Sequence, residues 1–140
     1  YVINIPSSEL TVYVPARNVG ELGLRPAMTQ PQVARMMDTL RRKPQQLPLD
    51  FKERQEEVWE QIKTGEAIPT AKAVRDLTWR KHSAHLTKRD GELLQQGEEL
   101  LAAEMALVFD IEMADATERI RSALEGAMAK WEQMLSFQAA

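Results

Sequence analysis

The sequence predicts a mostly α-helical protein, with a compact five-helix domain at residues 26–140 and a β-hairpin within residues 1–25. Before Pro15, apolar and polar residues alternate, which is typical of a strand with one buried face. After Pro26, apolar residues recur every three to four positions, as on one face of a helix. Capping residues precede several of these helical stretches, and Pro or Gly separates them, so their ends are predictable as well.

Residues 1–5 and 9–14 are the predicted strands, joined by Pro-Ser-Ser turn chemistry. In the second strand, Thr11 and Tyr13 alternate with apolar residues and so face away from them. A hairpin on its own is only marginally stable in water. We therefore expect the end of a small β domain whose beginning is missing, in a monomer, or strand pairing between two chains in a domain-swapped dimer.

The first two helices have clear boundaries in the sequence. The first is predicted over residues 31–42, with Thr29 as its N-cap. The second begins near Asp50, which has an acidic residue three positions later as in a capping box. Gly65 is the residue expected to end it.

The remaining three helices follow with short breaks. The third starts near Thr70, after a proline, and ends at a break over residues 82–86. The fourth has the strongest start signal in the chain, with Thr87 as N-cap and Asp90 at the third helical position. The fifth covers residues 116–135. Trp59 and Trp131 lie beside or on apolar stripes and are expected in the core. The residues predicted to be buried are Val33, Met36, Met37, Leu40, Val58, Ile62, Val74, Leu77, Leu100, Leu101 and Leu124.

Composition narrows the classes of function. The absence of Cys excludes a disulfide framework, a thiolate zinc site and a Cys nucleophile. No apolar run approaches the roughly 20 residues of a membrane span, so we expect a cytoplasmic protein. No Gly-rich phosphate loop or HExxH motif is present, so we expect neither enzyme activity nor a cofactor. His82 and His85 lack a third ligand nearby in sequence, so no metal site is expected.

The charge distribution leaves two interpretations open. The net charge of −3 argues against indiscriminate nucleic-acid binding. Basic residues nevertheless cluster between residues 72 and 89, and acidic residues dominate residues 98–125. One basic face could contact a phosphate backbone while the acidic part keeps the protein soluble. Alternatively, these charges are solvated helix faces.

Three stretches together carry a family resemblance. They are YVINIPSSELTVYVPARNVGELGLR at the N-terminus, AVRDL at residues 73–77, and the pattern L-T-x-x-D followed by a long helix rich in Leu, Ala and Glu. With them the chain resembles the CarD/CdnL family of bacterial transcription regulators. The hairpin pattern is shared with the polymerase-binding domain of transcription-repair coupling factors, but those carry helicase domains in place of the helical tail.

The resemblance implies a fold and a function. Residues 1–25 would be the C-terminal part of a Tudor-like domain that binds the β subunit of RNA polymerase. The helical domain would contact promoter DNA at the upstream edge of the transcription bubble, with an aromatic wedge in the minor groove. Family members stabilise the open promoter complex, so we expect a protein of the bacterial nucleoid that binds DNA only weakly without polymerase.

The family's contact positions can be placed in this sequence. The wedge position, usually Trp, falls at Phe51, and two basic positions of the family appear here as Glu56 and Gly91. The alternative is a helical adaptor that binds only proteins, with Phe51 buried against the hairpin or the first helix. The residues predicted to bind DNA are Phe51, Arg54, Lys72, Arg80, Lys81, Lys88 and Arg89, and those predicted to bind polymerase are Thr11, Tyr13 (often Arg in the family) and Arg17.

Overall fold

Two antiparallel strands precede the helices in the computed structural model, which describes residues 2–5, 10–13 and 28–139, with side chains over residues 28–136. Strand β1 is Val2–Ile5 and strand β2 is Leu10–Tyr13. Their register pairs Val2 with Tyr13 and Ile5 with Leu10. That these strands belong to a Tudor-like domain stays a prediction.

Five helices follow in the described part of the chain, and side-chain caps fix where three of them start. The Thr29 side chain accepts a hydrogen bond from the Gln32 backbone N–H in a capping box. The Asp50 carboxylate accepts one from the Glu53 N–H at 3.0 Å. These caps were predicted from sequence and are confirmed, as is the cap at Thr87. The helices are α1 Gln30–Arg41, α2 Phe51–Ile62, α3 Ala67–Ser83, α4 Lys88–Phe109 and α5 Met113–Ala139.

The start of α3 differs from the prediction. The helix begins at Ala67, so Pro69 lies inside its first turn. A proline is tolerated there because the first backbone N–H groups of a helix have no partner within the helix. The Thr70 hydroxyl, expected near the cap, instead donates to the Glu66 carbonyl oxygen at 2.7 Å. Helix α5 likewise begins at Met113, before the predicted start.

The helices α3 and α4 form the centre of the bundle. Both contact each other and the remaining three helices, and α1 also packs against α5. Among the described elements, α2 packs against α3 and α4 alone. The start of α2 therefore lies at the edge of the bundle.

The predicted core is confirmed with small exceptions. Met37 and Leu100 are half-buried and pack against the core, and the other predicted residues are buried. Trp59 is 39 % exposed, so its expected place in the core is wrong. Trp131 is half-buried, and its indole N–H donates to the Arg41 carbonyl oxygen at 2.9 Å. None of the helices among residues 28–139 is both long and apolar enough to cross a membrane.

Candidate nucleic-acid interface

The start of α2 presents apolar side chains to solvent. We call residues 48–52 the tip. Leu49 is 75 % exposed and Phe51, the first residue of α2, is 51 % exposed. Asp50 between them is the N-cap of the helix, and its backbone is extended. Large apolar side chains that remain exposed in this way are candidates for binding another molecule.

A positive charge accompanies the aromatic ring. The Lys52 ammonium lies 6.0 Å from the centre of the Phe51 ring. At an exposed site such a cation–π contact contributes about 0.5–1 kcal/mol. The tip thus combines an apolar surface with a cation, which is the combination that stacks on bases and contacts phosphates.

The start of α4 is built by local capping. The Thr87 hydroxyl accepts a hydrogen bond from the Asp90 N–H, and the Asp90 carboxylate accepts one from the Thr87 N–H at 3.0 Å. The first two residues of the helix, Lys88 and Arg89, are exposed. Arg89 also lies 3.3 Å from Glu92, in an exposed pair of the kind that contributes little to stability.

A buried ion pair joins the two helix starts. The Arg54 guanidinium donates to both oxygens of the Asp90 carboxylate, at 3.1 and 2.8 Å, and both side chains are almost fully buried. Next to it, the Gln55 side-chain amide donates to the Thr87 hydroxyl at 3.0 Å. Phe51 and Gln55 are four residues apart and share one face of α2. The tip therefore lies on the face of α2 that meets the start of α4.

The environment of Asp90 keeps its carboxylate charged. Burial by itself would raise the pKa of Asp90, but the hydrogen bonds from Arg54 and Thr87 and the positive charge of Arg54 act in the opposite direction. Their combined effect is to lower the pKa of Asp90 below its ordinary value.

Positive and negative groups lie close together at this end of the molecule. The N-termini of α2 and α4 both carry the positive end of a helix dipole. Along its outer side, however, α2 exposes acidic residues. The exposed cations of this region therefore lie at the tip and the start of α4. The exposed acids of α2 are Glu53, Glu56, Glu57 and Glu60.

We predicted that Arg54 binds DNA, but in the structure its side chain is not available for this. Its side chain is 2 % exposed, and its guanidinium is held by Asp90. A phosphate contact would require breaking a buried ion pair, which leaves an uncompensated charge in the protein interior. Arg54 therefore lies in the interior, whereas Lys52 is the exposed cation next to Phe51.

The predicted basic residues of α3 do not form one surface. Lys72 and Lys81 are both exposed, but nine residues of helix separate them by about half a turn, on opposite sides of α3. Lys81 lines a groove between α3, α4 and α5. Arg80 is half-buried. Of the predicted set, Phe51, Lys88 and Arg89 are exposed at the two helix starts that Arg54 and Asp90 join.

The predicted polymerase-binding residues lie in the N-terminal part. Thr11 and Tyr13 belong to β2, where they pair with Asn4 and Val2. Their side chains and the whole of Arg17 lie outside the described part of the structure. Their assignment to polymerase stays a prediction.

The histidine region forms a contact between helices. His82 Nε2 lies 2.8 Å from a Glu132 oxygen, and the ring stacks on Trp79 with centres 5.9 Å apart. This contact ties the end of α3 to α5. Within residues 28–136, no group of three His, Asp or Glu side chains is placed to hold a metal ion.

Two features of the interface were missed by sequence reasoning. Leu49 is the most exposed large apolar residue of the described helical part. Its signal was a lone Leu between Pro48 and the cap residue, outside any helical period. The pairing of Arg54 with Asp90 had no sequence signal, because Asp90 was already explained as a cap.

A comparison with models of known protein families finds a match over most of the helical part. Residues 35–121 match the family described as CarD, C-terminal domain. The match covers more than half of the chain and includes the whole of α2, α3 and α4. Both helix starts of the candidate interface lie within it.

Proposed function

This chain belongs to the CarD family, which ties it to transcription, and we propose that it stabilises the open promoter complex of RNA polymerase. In this proposal, β1 and β2 belong to the module that binds the polymerase β subunit. The tip and the start of α4 contact promoter DNA at the upstream edge of the bubble. The protein performs no catalysis, takes no cofactor and acts at the nucleoid.

The observation that carries the proposal is the exposure of Phe51. Burial of this ring was the distinguishing expectation of the adaptor alternative, and 51 % exposure at the edge of the bundle disfavours it. Apolar side chains, Phe among them, are inserted between base steps by minor-groove proteins. A ring placed at the edge of the bubble would replace lost base stacking and slow the re-annealing of the strands.

The charges around Phe51 fit a small contact with DNA. Lys52, Lys88 and Arg89 are exposed at the two helix starts and would neutralise phosphates on either side of the inserted ring. The weak pair of Arg89 with Glu92 can be exchanged for a phosphate contact at little cost. The acidic side of α2 would repel a duplex lying along it, which favours contact at the tip.

The test of the DNA contact is the lifetime of the open complex formed by polymerase with the full chain. Base–aromatic stacking contributes on the order of 1–3 kcal/mol per base, so Phe51→Ala should shorten the lifetime about five-fold or more. Phe51→Trp should preserve or lengthen it. Phe109→Ala is the matched control, because Phe109 is also partly exposed but lies at the opposite end of α4.

Phe51→Ala should change neither polymerase binding nor the melting temperature, since the ring is outside the core. If this variant instead unfolds at lower temperature and its surviving complexes keep the wild-type lifetime, Phe51 is a packing residue and the DNA contact is refuted.

The polymerase contact is tested separately. An extended strand edge can pair with a strand of a partner, and alternate side chains then set specificity. Tyr13→Glu should therefore weaken binding to the isolated β subunit in a pull-down, while the circular dichroism of the helices stays unchanged. Unchanged affinity would remove the assignment of β2 to polymerase.

A further inference from the structure

The Arg54 guanidinium faces two parts of the molecule at once. Its Nε and Nη2 donate to Asp90, while its Nη1 donates to the carbonyl oxygens of Pro48 and Leu49, at 3.3 and 3.1 Å. The planar guanidinium presents five N–H donors in a fixed geometry, which permits this division. One buried group thus links the start of α4 to the chain that enters the tip.

We infer that Arg54 is a positioning residue that holds Leu49 and Phe51 outward together, and that Leu49 contacts DNA beside Phe51. The inference rests on the proposed function of the tip. It extends that function in two ways: the apolar wedge consists of two side chains, and its backbone is fixed by a residue that does not itself touch DNA.

The geometry around Leu49 supports a rigid tip. The Leu49 carbonyl is held by Arg54 on one side, and the next residue, Asp50, is held by its hydrogen bond to the Glu53 N–H. Leu49 is nevertheless 75 % exposed, so its side chain contributes little packing. The backbone of the tip is therefore held by hydrogen bonds and not by burial of this side chain. Fixing a segment in its bound conformation improves binding because the entropy of ordering is lost before the partner arrives.

Lysine cannot replace Arg54 in this role. Its ammonium is a compact charge that can pair with Asp90 but cannot also span two carbonyl oxygens in a planar arrangement. Arg54→Lys therefore keeps the charge and releases the tip. The chain offers a control in Arg75, which is also buried, pairs with Asp76 at 2.8 Å and donates to the Thr39 carbonyl oxygen. None of these hydrogen bonds involves residues 48–52, although Asp76 also accepts one from the Gln45 N–H.

The experiment measures open-complex lifetime with polymerase and the full chain, at a temperature where each variant is folded. In Arg54→Lys the tip is no longer held in the conformation that binds DNA, so this variant should shorten the lifetime about three-fold. Arg75→Lys, which perturbs the other buried pair, should leave it at the wild-type value. Equal lifetimes for wild type and Arg54→Lys, or equal losses for the two lysine variants, would overturn the positioning role.

A double-mutant cycle separates positioning from general damage. In a chain that already carries Leu49→Ala and Phe51→Ala, Arg54→Lys should have no further effect on lifetime, because no wedge remains to be held. An additive loss in that background would show that Arg54 acts by another route.

Leu49→Ser keeps the inference testable if Arg54→Lys fails to fold. Since Leu49 is exposed, this variant should melt like the wild type, and the loss of an apolar contact with the bases should shorten the lifetime about two-fold or more. A wild-type lifetime would refute the contact of Leu49 with DNA. If Phe51→Ala shortens the lifetime while Leu49→Ser and Arg54→Lys do not, this inference fails and the proposed function stands; if Phe51→Ala has no effect, both fail.

Discussion

At the scale of single residues, Asp90 has two structural roles. Its carboxylate caps α4 through the Thr87 N–H and also neutralises the buried Arg54 guanidinium. Removing one partner of a buried ion pair is destabilising by about 3–5 kcal/mol, because the other charge is left without compensation. The contact between the starts of α2 and α4 therefore depends on the carboxylate of Asp90.

The free energy of unfolding should consequently decrease in acid, where this carboxylate becomes protonated. The pKa of Asp90 is lowered in the folded state, so the unfolded chain, with a pKa of about 3.9, binds the proton more tightly. The stabilisation is fully present above that pH and is lost as the pH falls through the folded-state pKa. We expect Asp90→Asn to lower the free energy of unfolding at pH 7 and to flatten its dependence on pH below about 4.

Urea denaturation at a series of pH values measures this effect. Asp38→Asn is the control, because Asp38 forms only an exposed pair with Arg41 on α1. An acid dependence of Asp90→Asn equal to that of the wild type would show that Asp90 does not couple folding to protons.

At the scale of elements, the contact of α3 with α4 requires a residue without a side chain. A Cβ built on Gly97 would lie 2.6 Å from a Val74 methyl carbon, so the helices could not approach as they do. Val74 is fully buried, with little room to move. This close approach brings together the two central helices, against which all the others pack.

Gly97→Ala should therefore destabilise the protein, although alanine is the better helix former. Overpacking of a core typically costs about 1–3 kcal/mol, which exceeds the gain in helix propensity. Gly126→Ala, on α5, has no atom within 4 Å of the new Cβ and should stabilise the protein by up to about 1 kcal/mol. Thermal denaturation of both variants tests this prediction. If Gly97→Ala melts at the same temperature as Gly126→Ala, the close packing at Gly97 is refuted.

At the scale of the whole molecule, a negative net charge is combined with exposed cations at two helix starts. The chain carries −3, yet the starts of α2 and α4 present Lys52, Lys88 and Arg89. Long-range repulsion from the rest of the chain opposes the approach of DNA, while the local cations attract phosphates within about a Debye length. We therefore expect this chain to bind DNA firmly only when polymerase holds the protein and the DNA together.

The isolated chain should bind duplex DNA weakly and with strong dependence on salt. Each phosphate contact contributes about 0.9 to the slope of log K against log salt concentration, so Lys88→Ala should reduce that slope by about one. Lys63→Ala is the control, since Lys63 is exposed at the far end of α2, about 18 Å from the tip by the rise of the helix. Fluorescence anisotropy over a salt series measures both, and tight sequence-specific binding by the isolated chain would contradict the proposal.

The sequence by itself determined the helical class of the described domain, most helix boundaries and nearly all of the core. Caps at Thr29, Asp50 and Thr87 were readable because their hydrogen bonds join residues three positions apart. The core was readable because burial imposes the helical period on apolar residues. The family resemblance favoured an exposed Phe51, but a buried Phe51 was left open as the alternative until the structure placed the ring at the surface.

Tertiary structure alone decided the roles of Arg54, Trp59 and the basic residues of α3. Arg54 lies 36 positions from Asp90, so no local pattern could assign it to the interior. The helical period makes Val58 and Ile62 inward-facing but leaves open how far a flanking Trp59 is covered, which depends on neighbouring helices. Contacts between distant parts of the chain are set by how the helices pack, and this packing places Arg54, a predicted DNA ligand, in the interior beside Asp90.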